Sequence, residues 1–225
     1  MRLLVYWACG IVVSAVLTND GGSGMYGAGE DRPEALPPPG LVGRMSVEEA
    51  IGRRRSVREF TDRRLTLEEI GQLCWAGQGI TDRGRGYRAF PSAGALYPIE
   101  LYVVTAERVD HYRPQDHSLE CHVTGDLRRA LQRACLDQEA IGGAPACMVI
   151  AAMVERTACK YGPRAERYCF MQAGHVAQNI LLQATALHLA GVPIGAFEDE
   201  KVDAALKMPR GRHVLYLLPI GHPRG

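Results

Sequence analysis

Three guanidinium groups and a hydroxyl fall within five residues at Arg54-Arg55-Ser56-Val57-Arg58. Arginine presents a planar fork that matches phosphate oxygens, and serine adds a small donor, so the cluster suits a phosphate. An exposed basic helix end has the same composition, and the cluster alone does not separate the two. Two further stretches carry little side chain. Pro91-Ser92-Ala93-Gly94-Ala95-Leu96-Tyr97-Pro98 is a turn-rich segment whose backbone can come close to a flat ligand. Pro193-Ile194-Gly195-Ala196-Phe197 is a second turn, able to offer the backbone N–H groups of Gly195 and Ala196. Arg224, just after the last expected strand, is a second candidate phosphate contact. No G-x-x-x-x-G-K-S/T occurs, and no G-x-G-x-x-G joins a strand to a helix, so a P-loop and a dinucleotide fold lack support. The seven cysteines contain no C-x-x-C pair, and the histidines show no metal-ligand spacing, which argues against a structural zinc site.

Periodicity identifies the elements that must position these residues. Within Tyr168 to Phe197, the residues Ala173, Val176, Ala177, Ile180, Leu181, Ala184 and Leu187 recur at helical spacing and form one apolar stripe. The stripe is rich in Ala, so a helix or sheet can approach closely, and Gly191 and Pro193 are expected to stop the helix. Ser46, with Glu49 completing a capping box, opens a helix over 46–54; Thr66 and Glu69 open another that runs to Gln78. Ile99–Thr105, Pro145–Met153 and Val214–Pro219 read as strands, the second as a central one because it is apolar almost throughout. Gly79–Arg88 reads as a polar loop, Tyr112–His122 as a loop or edge hairpin, and Asp126–Glu139 as helical. Helices alternating with few strands give the class α+β.

The chain has 225 residues, 47% hydrophobic and 23% charged, which suits one domain with a sizeable core. Its formal net charge of +1 supplies no field for nucleic acid or acidic lipid. Arg2 is followed by 15 uncharged residues, Leu3 to Leu17, the length of a signal-peptide core or a short membrane anchor. Thr18 to Gly43 is rich in Gly, Pro and Asp and reads as a flexible tether. The expected organisation is therefore a signal peptide or anchor over 1–17, a linker over 18–44, and a folded domain over 45–225. Seven cysteines suit a reducing compartment and argue against the extracytoplasmic placement that the leader suggests, so a cytoplasmic location stands as the alternative.

Taken together, Arg-Arg-Ser-x-Arg at 54–58, Pro-Ser-Ala-Gly-Ala-Leu-Tyr-Pro at 91–98, Lys-Tyr-Gly at 160–162, Gly-His-x-x-Gln-Asn at 174–179 and Ile-Gly-Ala-Phe at 194–197 resemble the nitroreductase-like family of flavin enzymes. The likeness is closer to the family's SagB/ThcOx-type dehydrogenase branch and runs from about Ser46 to Gly225. It implies an α+β FMN-binding fold, with a central mixed or antiparallel sheet flanked by helices, in a homodimer with two FMN sites. It also implies that Arg54, Ser56 and Arg58, with Arg55 beside them, contact the phosphate and ribityl chain, and that Arg224 reaches the phosphate. By the same likeness Ser92, Ala93 and Gly94 cover the flavin from the partner subunit. Ile194, Gly195 and Ala196 approach its N5 edge, and Gln178 and Asn179 lie near the ring. Lys160 and Tyr161 match a pair that supports proton removal during hydride transfer, although a surface Lys beside a packing Tyr would look the same. His175 is either a proton donor or a hydrogen-bonded core residue. Where relatives often carry a carboxylate, this chain has Gln172. The implied activity is hydride transfer through FMN, with NAD(P)H as a reductant and a small molecule or peptide as substrate. Oxidation of a peptide thiazoline or oxazoline is one alternative, and a tethered flavin carrier without turnover is another.

Overall fold

In the computed structural model, which describes residues 32–224, every residue from Ala146 to Ala152 is buried. Cys147, Val149 and Ala151 point into one core, and Met148, Ile150 and Ala152 into a second on the opposite face. A strand apolar on both faces must be covered on both. Around it the chain forms β1 (Glu34–Ala35), a small hairpin of β2 (Ile80–Asp82) and β3 (Tyr87–Arg88), β4 (Ile99–Val104), β5 (Arg108–Arg113), β6 (Ser118–Thr124), β7 (Ala146–Ala152), β8 (Ala190–Gly191) and β9 (His213–Gly221). The main sheet has the order β1-β6-β5-β4-β7-β9-β8, and all neighbouring pairs are antiparallel. The span expected to be a loop or edge hairpin is the β5–β6 hairpin, and β1 covers its outer edge.

The helices are α1 (Val47–Arg53), α2 (Leu67–Gln78), α3 (Arg128–Ala134), α4 (Glu139–Gly143), α5 (Val154–Tyr161), α6 (Ala165–Ala186) and α7 (Asp199–Ala205). Helices α2 and α6 cover the core that holds Met148, Ile150 and Ala152; residues of α3, α4 and α7 cover the one that holds Cys147, Val149 and Ala151. In α6, 22 residues long, the expected stripe is buried from Ala173 to Ala184. A Cβ on Gly77 of α2 would lie 2.9 Å from Ile180 Cδ1, so glycine sets how closely α2 meets α6. The Thr66 capping box is complete, with Glu69 N–H donating to Thr66 Oγ1 at 3.2 Å and Thr66 N–H to Glu69 Oε2 at 2.8 Å. At α1 Ser46 Oγ accepts from Glu49 N–H, but the Glu49 carboxylate pairs with Arg53 at 2.6 Å, so only half the box forms.

Two boundaries differ from expectation. Helix α6 ends at Ala186, followed by His188 in the left-handed region at φ 58°, and Gly191 lies beyond it in β8. A Cβ on Gly191 would sit 3.0 Å from Pro219 O, so this glycine serves strand contact rather than helix termination. The folded domain also starts before residue 45. β1 pairs with β6, Leu36 is buried, His117 Nε2–H donates to Pro37 O at 2.9 Å, and Gly40 N–H donates to Gln72 Oε1 at 2.8 Å. One apolar anchor and these hydrogen bonds dock a segment whose composition reads as linker. The apolar run 3–17 lies outside the described residues, and among those described no helix is long and apolar enough to cross a membrane.

Candidate active site

The basic cluster begins where α1 ends. Arg54 is the half-buried C-cap, and Arg55, Ser56 and Arg58 are exposed. Arg55 turns back: its Nη1 donates to Gly52 O at 2.9 Å and to Arg54 O at 2.8 Å, closing the last carbonyls of α1. The chain then runs between two distant strands. Val57 N–H donates to Gly191 O at 3.1 Å, Thr61 N–H to His222 O at 2.9 Å, and Arg224 N–H to Glu59 O at 3.2 Å. This lacing sets Ser56 beside Gly191 at one end and Glu59, next to Arg58, beside Arg224 at the other. Among the described residues no hydrogen bond or ion pair engages the guanidinium of Arg54, Arg58 or Arg224. Three guanidinium groups, two exposed and one half-buried, whose side chains have no hydrogen-bond or ion-pair partner among the described residues fit a phosphate-bearing ligand.

Ile194 is buried and tied to Leu217 by two backbone hydrogen bonds, of 2.8 and 3.0 Å. Gly195 and Ala196 emerge from that anchor exposed, and among the described residues no backbone acceptor takes either N–H. Ala196 O accepts from Gln138 Nε2 at 2.8 Å, which fixes the far side of the turn. Two amide donors held on a buried root can meet an electron-rich edge of a ligand without moving.

The 91–98 segment is a single 3-10 turn at Ala93–Ala95. Gly94, Ala95 and Tyr97 adopt left-handed backbone, with φ of 62°, 53° and 46°. Ser92 Oγ accepts from Tyr97 N–H at 2.8 Å, and the Arg88 guanidinium lies 4.8 Å from the Tyr97 ring centre. Gln78, buried at 1% exposure, accepts from Arg88 Nη1 at 2.7 Å and donates to Ile99 O at 2.9 Å. This turn meets Lys160 and Tyr161, the last two residues of α5. A Cβ on Gly94 would lie 3.0 Å from both Lys160 Nζ and Tyr161 Oη. Tyr161 is half-buried, edge-on to Tyr168 at 5.0 Å, while Lys160 is exposed.

On α6 the remaining candidates separate. Asn179 Nδ2 donates to Ala89 O at 2.9 Å and so supports the strand end leading into the 91–98 turn. Gln178 and His175 are exposed, so His175 is not the core residue that one expectation allowed. Gln172 is 3% exposed, and neither its Nε2 nor its Oε1 has a hydrogen-bond partner. Two residues that sequence reasoning missed complete the turn's surroundings. Arg156 Nη1 donates to Tyr97 O at 2.5 Å and its Nη2 to Glu100 Oε1 at 2.7 Å. Burial would raise the Glu100 carboxyl, but the hydrogen bond and charge of His111 and the charge of Arg156 outweigh it and hold Glu100 below its ordinary value. No motif marks Arg156 or Glu100, and only the fold joins them.

The buried cysteines are packing residues: burial pushes the Cys74 and Cys147 thiols well above their ordinary value and Cys135 up to about 12. Among the described residues no cluster of His, Cys, Asp and Glu could hold a metal ion. A cavity of about 530 Å³ bordered by Leu65, Leu67, Thr105, Asp110 and Pro145 shares none of the candidate residues.

The nitroreductase family model matches residues 51–222, from the end of α1 through β9. The chain belongs to the nitroreductase family. A Methanocaldococcus jannaschii protein classed among the nitroreductases is 40% identical over 183 residues, which is 79% of this chain and 91% of that protein. The microcin B17-processing protein McbC of Escherichia coli is 28% identical over 164 residues, 66% of this chain and 59% of McbC. That match supports the SagB-type branch. A nitroreductase structure from Ralstonia eutropha superposes with a TM-score of 0.79 at 25% identity, covering 89% of this chain and 93% of that one. Membership makes this α+β protein an oxidoreductase, as the arrangement of motifs implied.

Proposed function

We propose that this nitroreductase-family protein binds FMN and works as an FMN-dependent oxidoreductase that draws electrons from NAD(P)H. The observation that carries the reading is the lacing of residues 56–61 between Gly191 and the 222–224 segment, which joins three sequence-distant motifs into one rim. Arg58, Arg224 and Arg54, with Ser56, would hold the phosphate and ribityl chain, and the N–H groups of Gly195 and Ala196 would meet the ring edge. When bound, FMN supplies a ring that takes a hydride at N5 and passes electrons on. The chain's own part is to fix that ring, donate hydrogen bonds to its edge and keep one face open to substrate.

A second reading is supported by the contact of Gly94 with Lys160 and Tyr161 and by the likeness to McbC, a protein whose name describes processing of microcin B17. In it the pair removes a proton while a substrate C–H bond gives up hydride, as oxidation of a peptide thiazoline or oxazoline requires. Lys160 would act as the base and Tyr161 would orient the proton. A homodimer fits both readings: Val47 and Ile51 of α1 and Phe170 and Met171 of α6 are exposed apolar residues on two helices that pack together. The experiment is to titrate FMN into wild type and Arg58→Ala. A charge-assisted hydrogen bond contributes about 1.5–3 kcal/mol, so the dissociation constant should rise about tenfold to a hundredfold. Equal affinity in both would remove Arg58 from the site.

A further inference from the structure

We infer that Arg156 and Glu100 are positioning residues that hold the 92–97 turn against Lys160 and Tyr161. The geometric claim stands on the fold, and its catalytic meaning rests on the FMN reading above. One guanidinium spans two acceptors, Tyr97 O at 2.5 Å and Glu100 Oε1 at 2.7 Å. The other oxygen of Glu100 takes His111 Nε2 at 2.7 Å, so both carboxylate oxygens have partners, and the side chain is 12% exposed. A carboxylate fixed from both ends is a rigid post for the arginine, and a planar fork can satisfy it and a carbonyl together where an ammonium serves one.

The turn needs such a tether. Ala95 and Tyr97 sit in left-handed backbone at φ 53° and 46°, a conformation that non-glycine residues keep only when their surroundings enforce it. Ser92 and Arg88 restrain the turn from its own side, through the Tyr97 N–H and the Tyr97 ring. The opposite restraint comes from α5. Met153 N–H, at the N-cap of α5, donates to Pro98 O at 2.9 Å, and Arg156 is the α5 side chain that hydrogen-bonds the turn. Arg156 precedes Lys160 by four residues and so lies on the same face of α5, one turn away. The residue that grips Tyr97 O therefore also fixes where Lys160 stands relative to Gly94.

The test is hydrogen exchange read by mass spectrometry on the 91–98 segment of Arg156→Ala, Arg156→Lys and Glu100→Gln, without and with added FMN. In Arg156→Ala the amides of Ala95, Leu96 and Tyr97 should exchange about tenfold faster or more, while 99–104 and 146–152 stay as protected as in wild type. Arg156→Lys and Glu100→Gln should give intermediate rates, and they carry the test if Arg156→Ala does not fold. In the FMN-loaded variants kcat for oxidation of a substrate C–H bond should fall further than the rate of quinone reduction, while FMN content holds. Wild-type exchange in the turn, or equal loosening of turn and strands, would overturn the inference, the second by making Arg156 a general stabiliser. Protein that takes up no FMN would refute the cofactor reading, and the exchange in its absence would still decide the positioning claim.

Discussion

Replacing Gly94 with alanine probes the point where the left-handed turn meets the candidate base. Gly94 has φ 62° and ψ 18°, and an L-residue held there costs roughly 1–2 kcal/mol. The new Cβ would lie 3.0 Å from Lys160 Nζ, 3.0 Å from Tyr161 Oη and 3.3 Å from Lys160 Cδ, so both side chains must give by a few tenths of an ångström. The exposed Lys160 can do so at little cost, whereas Tyr161 is braced edge-on by Tyr168 at 5.0 Å. The stability loss should thus stay near the backbone figure. At about 2–4 °C per kcal/mol for a domain of this size, Tm should drop by about 2–8 °C. The functional loss should be selective, because the displaced groups are those that a C–H oxidation needs and a simple acceptor reduction does not. Thermal unfolding followed by dye fluorescence gives the first number, and parallel assays of substrate oxidation and quinone reduction give the second. An unchanged Tm would refute the left-handed geometry argued for Gly94, and equal loss of both rates would refute the selective role of the Lys160 contact.

Lys160→Ala should leave FMN binding intact while oxidation of a substrate C–H bond falls by about 10²–10⁴, the usual loss on removing a general base; unchanged oxidation here and in Tyr161→Phe makes the pair structural. Light scattering should find a dimer of the 24.6 kDa chain, and a flavin-loaded monomer would contradict the exposed α1–α6 face as an interface. Because Glu100 is held below its ordinary value of 4.5, its contribution to stability is present above that value and lost as pH falls through the depressed one. Wild type should therefore lose more of its urea midpoint than Glu100→Gln between neutral pH and the pH range below 4.5; parallel losses would show that the pairing adds no stability.

What could be read from the sequence was what local pattern encodes. The α6 stripe was legible because Ala173, Val176, Ala177, Ile180 and Ala184 repeat every three or four residues, and β7 because no polar residue interrupts it. Thr66 and Glu69 announced their capping box at the right spacing. The α6 terminus was misplaced because its stop is a left-handed His188, a conformation that histidine does not advertise, while Gly191 answered to Pro219 across the sheet. Residues 34–40 looked like linker since a two-residue strand has no periodicity to detect. At the site, residue type pointed to the arginines but not to their partners, so Arg55 looked like its neighbours until the fold turned it onto Gly52 and Arg54. Arg156 and Glu100 were invisible for a different reason. They stand 56 residues apart, and the β4–β7 pairing, with α5 leading out of β7, is what brings them together.

The central claim is that the rim of Arg54, Ser56, Arg58 and Arg224, with the 194–196 turn, holds FMN for electron transfer. The most direct measurement is the visible spectrum of the purified protein during anaerobic addition of NADPH. The expected result is a yellow protein that bleaches as NADPH is added and releases FMN on denaturation. A colourless protein that takes up no added FMN would contradict it.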